Sequence, residues 1–127
     1  KKNKKKIPDE CIKREDITLD GLTLSPHSAV LAMSEEEIYM PLGYFGLLQT
    51  KGSLARLMIS LHFSDGQIDP GFKGHITFEI YNASDFFIHI DCQKAVGNLY
   101  IFEVCGSSKP YTGKYANSNK PTIQEPF

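Results

Sequence analysis

A chain of 127 residues, 41% hydrophobic and 23% charged, has the composition of an ordinary globular protein and room for one domain with a modest core. Its net charge of −1 conceals an asymmetry: five of the first six residues are Lys, leaving nine basic groups against fifteen acidic ones beyond them. That acidic remainder argues against a nucleic-acid-coating surface, and no apolar run approaches the ~18 residues of a membrane span, so neither partner is expected.

Residues 1–16 are polar and mostly charged, and read as a flexible basic arm. No apolar stretch follows the lysines, so this is not a signal peptide, and a first residue of Lys rather than Met implies a start downstream of translation initiation. Cys11, Cys92 and Cys105 are odd in number and form no CxxC pair, which suits reduced thiols in a cytoplasmic protein.

From Ile17 to Thr112 short apolar runs alternate with turn residues such as Ser25-Pro26, Asp65-Gly66 and Pro70-Gly71. The spacing predicts strands at Thr23-Leu24, Ala29–Met33, Ile38–Met40, Phe45–Leu48, Met58–Phe63, His75–Tyr81, Phe86–Ile90 and Leu99–Val104. Only Ser53–Leu57 reads as a helical turn. Many short strands with almost no helix imply an all-β sandwich or barrel. In His75–Tyr81, alternation places Ile76, Phe78 and Ile80 on a core face and Thr77, Glu79 and Tyr81 on the other. The last segment, 113–127, is rich in Lys, Asn, Ser and Pro and reads as a mobile tail.

Two blocks carry a resemblance. Lys51-Gly52-Ser53-Leu54-Ala55-Arg56-Leu57 is similar to the RSSLARLG motif of dCTP deaminases. Gly66-Gln67-Ile68-Asp69-Pro70-Gly71-Phe72-Lys73-Gly74-His75-Ile76-Thr77-Phe78-Glu79 is similar to their G-x-IDPGF-x-G-x-ITLE. A looser match, Pro110-Tyr111, Gly113-Lys114-Tyr115 and Pro121-Thr122, looks like the family's closing tail, so the resemblance spans roughly residues 17–124. It implies the dUTPase-like distorted β-barrel or jelly roll, a homotrimer with sites between neighbours, and a pyrimidine deoxynucleotide substrate: dCTP, with dUTP and dTTP as related ligands. Mg²⁺ would be bound through the triphosphate. Zinc is not expected, because the HxE and PCxxC of zinc deaminases are absent and His27, His62, His75 and His89 are scattered.

Hydrolytic deamination adds water to C4 of cytosine and expels ammonia, and one positioned carboxylate can carry both proton transfers. The resemblance assigns that shuttle to Glu79 and the orienting role to Arg56; seen alone, each would be a surface residue. Lys51, Gly52 and Ser53 form the turn that would hold phosphate, with Lys51 where the family has Arg, losing the bidentate fork. Asp69 matches the residue that activates water in dUTPases and contacts the 3′-hydroxyl in deaminases. Gln67, Thr77 and Phe78 would line the nucleotide site, and Tyr111 and Lys114 would cover it.

The chain also departs from the pattern. Gly52 replaces a serine whose hydroxyl helps position the nucleophilic water; the glycine signals either that loss or a positive φ that serine would strain. Asp65 stands for a small Ala, Ser118 for Gln and Cys92 for a turn glycine. The family's N-terminal helix and first strands have no match ahead of Ile17. Three readings follow: a dCTP deaminase releasing dUTP and ammonia, a dUTPase or bifunctional enzyme using Asp69, and a nucleotide-binding relative without strong catalysis. Glu79 and Phe72 favour a deaminase over a plain dUTPase, which generally lacks that carboxylate and carries Tyr in place of Phe72.

Overall fold

The computed structural model describes Ile17 and residues 19–124; the basic arm assigned to residues 1–16 lies outside the described residues. In chain order the elements are β1 (Leu22–Leu24), β2 (Ala29–Tyr39), β3 (Tyr44–Thr50), α1 (Gly52–Ala55), β4 (Ile59–Ser60), β5 (Gln67–Ile68), β6 (Lys73–Asn82), β7 (Ile88–Ile90) and β8 (Gly97–Glu103). All pairings are antiparallel, in sheets ordered β1-β7, β2-β6-β4 and β5-β3-β8. Their inner faces share one core, to which Leu24 and Ile90, Ala32, Ile59, Ile76 and Ile80, and Leu48 and Ile68 contribute from the three sheets. The all-β expectation holds, with α1 as the single helical turn among the described residues.

β6 organises the fold because it pairs along both edges, with β2 and with β4. Its pleat buries Gly74, Ile76, Ile80 and Asn82 and turns Thr77, Glu79 and Tyr81 to the opposite face, as the alternation predicts. Asn82, fully buried, ends the strand and fixes the next turn. Its Nδ2 donates to the carbonyls of Leu24, Ser25 and Phe86, and its Oδ1 accepts from the Ser84 N–H and hydroxyl. Committing the Phe86 carbonyl to that side chain is why the expected strand 86–90 starts only at Ile88.

Three other elements differ from the sequence reading. Predicted strands 29–33 and 38–40 form one strand, β2, with an irregularity between Met33 and Glu37. There the buried Ser34 hydroxyl accepts the Ile76 N–H at 2.9 Å, a side chain replacing the missing ladder carbonyl. The predicted strand 58–63 contracts to β4. Met58 has φ 61°, outside the strand region, and the Leu61 N–H turns to the Thr50 hydroxyl at 3.0 Å. β5 was not legible, being two residues long; it exists because Ile68 pairs with Gly46 and is buried beneath it.

Candidate active site

Glu79 sits on the face of β6 that does not enter the core. Its Oε2 accepts the Phe63 N–H at 2.8 Å, and its own N–H donates to the Leu61 carbonyl at 2.8 Å. Oε1 has no partner among the described residues. Thr77 lies two residues along the same face and is exposed. Phe78, between them, packs against the core, so of the expected nucleotide-lining residues this side chain points away from the others.

The α1 turn is joined to this region through its flanks. The Thr50 hydroxyl holds the Leu61 N–H, and the Lys51 N–H donates to the Val96 carbonyl at 2.9 Å. Lys51 is the N-cap, without a side-chain cap, and its carbonyl accepts from Leu54 and Ala55. Lys51, Gly52, Ser53 and Arg56 are all exposed, and Arg56 makes no side-chain hydrogen bond or ion pair among the described residues. Within one chain, therefore, Arg56 and Glu79 are not paired. Gly52 is not among the positive-φ glycines, and a Cβ built on it meets nothing within 4 Å. Strain does not explain this glycine.

The second motif forms a loop under the C-terminal segment. Gln67 Nε2 donates to Asp69 Oδ1 at 2.6 Å, holding the carboxylate at the mouth of β5. Gly71 has φ 75°, and a Cβ there would lie 2.9 Å from Pro110 Cα, so the turn needs glycine for both conformation and space. The Tyr111 N–H donates to the Pro70 carbonyl at 2.9 Å, and its ring lies 5.9 Å from that of Phe72. The Asn117 N–H reaches the Lys73 carbonyl at 2.8 Å. Lys114 is engaged within the tail: its Nζ bonds Gln124 Oε1 and lies over the Tyr115 ring.

Sequence reasoning missed several residues around Glu79. Phe63 supplies the amide that holds the carboxylate, and its ring meets Tyr81 at 5.5 Å. His62 lies beneath Gly66, its Nδ1 buried without a hydrogen-bond partner among the described residues; a Cβ on Gly66 would fall 2.7 Å from the Leu48 carbonyl and 3.2 Å from the His62 ring. Only Tyr81 carried a signal, its two-residue spacing from Glu79. Asp65 is exposed at this loop.

The fold is that of the dUTPase-like β proteins. The native EIAV dUTPase matches it with a TM-score of 0.58 at 23% identity, covering 78% of each chain, a likeness of fold alone. Within that class the chain belongs to the dCTP deaminase-like family, whose match spans residues 1–104. That match takes in the lysine-rich stretch ahead of Ile17 and stops short of Tyr111 and Lys114. A protein of Corynebacterium kroppenstedtii named "dCTP deaminase, dUMP-forming" is 36% identical over 85% of this chain and 61% of its own length. One of the same name from Streptomyces griseus is 30% identical, over 94% of this chain and 69% of its own. The chain thus spans about three fifths of the first of these relatives.

The open surroundings of Gly52 lead to a stability prediction. Gly52→Ser should leave the melting temperature unchanged or raise it by about 1–3 °C, because serine restricts the unfolded chain without strain in the folded one. Thermal unfolding followed by circular dichroism checks it; a loss of more than about 3 °C contradicts the open site.

Proposed function

We infer that this chain deaminates dCTP and hydrolyses the product to dUMP. The observation that supports this most is Glu79, a carboxylate in the family's second motif, with one oxygen held by a backbone amide and the other without a partner among the described residues. A water adds to C4 of cytosine as Glu79 takes its proton and passes it to N3. Collapse of the tetrahedral intermediate then expels ammonia, protonated through the same carboxyl, and leaves the uracil carbonyl. The motifs alone favour release of dUTP. The relatives' shared name, "dUMP-forming", favours the bifunctional alternative instead. Asp69, anchored by Gln67, would activate a second water for attack on the α-phosphorus with pyrophosphate leaving, so that dCTP and two waters give dUMP, ammonia and pyrophosphate.

Arg56 would orient the water and the carboxylate, while Lys51, Gly52 and Ser53 would take the phosphates. Thr77 would line the site, Phe78 would contribute through its backbone, and Tyr111 and Lys114 would close over the nucleotide. As the family resemblance implies, Mg²⁺ would be carried by the phosphate oxygens of the nucleotide. Free Cys92 and Cys105 suit a reducing cytoplasm; among the described residues no helix is long and apolar enough to cross a membrane.

Arg56 is exposed and, among the described residues, not bonded to Glu79, an arrangement compatible with a site completed by a neighbouring copy. A largely apolar groove, rimmed by Glu37 and lined by Ile38, Tyr39, Met40, Leu99 and Ile101, beside exposed Tyr100 and Phe102, offers a face for such contact. Light scattering at micromolar concentration should return about three chain masses; a stable monomer contradicts the shared site.

Two variants test the chemistry. Glu79→Gln keeps the shape but cannot shuttle a proton, so deamination should vanish while calorimetric dCTP affinity stays within a few-fold. A Gln variant as fast as the parent removes Glu79 from the mechanism. Gly52→Ser restores a hydroxyl beside the nucleophilic water and should speed deamination roughly ten- to a hundred-fold, the equivalent of ~1–3 kcal/mol. An unaltered rate at unaltered stability rules out a lost serine contact as the limit on turnover.

A further inference from the structure

We propose that Tyr81 is a positioning residue for the Glu79 carboxylate, acting through Phe63. The proposal rests on the deaminase reading of Glu79 and adds to it the means by which the carboxylate is aimed.

Regular pairing between β4 and β6 ends at Ser60 opposite Tyr81, and one further backbone bond, from Glu79 to the Leu61 carbonyl, follows it. Beyond Leu61 the chain leaves the ladder, and Ser64, at φ 66°, turns it away. Phe63 lies in that departing stretch with a side chain more than half exposed, yet its N–H is the group that grips Glu79 Oε2. Its side chain has one aromatic partner among the described residues, Tyr81, at 5.5 Å and an interplanar angle of 49°. Tyr81 and Glu79 project from the same face of β6, two residues apart. The ring pair therefore clips the departing segment to the strand that carries the carboxylate, and so holds the Phe63 amide over it. With Oε2 engaged, Oε1 is the oxygen left to take and return a proton. No hydrogen bond involves the Tyr81 hydroxyl among the described residues, so the ring is the working part.

The test pairs kinetics with hydrogen exchange on the full chain. Tyr81→Leu, and independently Phe63→Leu, should lower kcat about tenfold with KM within about twofold, because only the aim of the carboxylate is lost. Tyr81→Phe should retain parental kcat. In Tyr81→Leu the amide of residue 63 should exchange about tenfold faster, while the Ile76 and Ile80 amides keep their protection, which separates lost aim from a loosened fold. Leucine variants at both positions with parental kcat and parental exchange overturn the positioning role and leave the deaminase reading standing. General loss of protection at Ile76 and Ile80 in both would make Tyr81 a stabiliser of the strand and also overturn it. A parent chain that binds dCTP but forms no uracil nucleotide overturns the deaminase reading, and the positioning role of Tyr81 falls with it whatever the exchange shows.

Discussion

The pleat of β6 is the constraint on which the rest depends. Because the strand is paired along both edges, its side chains cannot change face without a register slip that would expose Ile76 and Ile80 and bury Glu79. Core and candidate site are thus the two sides of one strand. A carboxylate placed this way needs no loop to carry it, and rigid elements hold reacting groups more accurately than loops do.

The remaining parts of the site are attached to β6 by few and identifiable contacts. The segment after β4 meets it through the Leu61 carbonyl and the Phe63 amide, and the α1 turn reaches that segment through the Thr50 hydroxyl. The IDPGF loop enters β6 from the other end, packed by Gly71 against Pro110 and Tyr111. Each of these hydrogen bonds uses a backbone group on at least one side, and Arg56, Ser53 and Thr77 stay exposed.

What was legible in the sequence follows from what each feature depends on. Alternation in His75–Tyr81 is local, so the facing of Glu79 and Tyr81 was readable, as were the two motifs that place the chain in its family. The union of two predicted strands into β2 was not, because it depends on the Ser34 hydroxyl meeting the Ile76 N–H forty-two residues away. β5 was invisible for the same reason, owing its existence to pairing with β3 rather than to its own two residues. The Phe63 amide on Glu79 leaves no trace in side-chain identity, since any residue but proline offers that donor. Gly52 shows the converse. Its conflict with the family motif was plain, but only its place in the α1 turn, outside the positive-φ region, and its open surroundings separate a lost hydroxyl from a strained turn.

The proposed function, passage of dCTP through two hydrolyses, is built on the family match, the carboxylate on β6 and the anchored Asp69. The name shared by the relatives and the length they have beyond this chain make the product the point on which the account turns. Its most direct test is incubation of the purified chain with dCTP and Mg²⁺, resolving nucleotides chromatographically and measuring ammonia and pyrophosphate alongside. The account predicts dUMP, ammonia and pyrophosphate in equal amounts with no accumulation of dUTP; dUTP as the sole nucleotide product, or dCTP recovered unchanged, contradicts it.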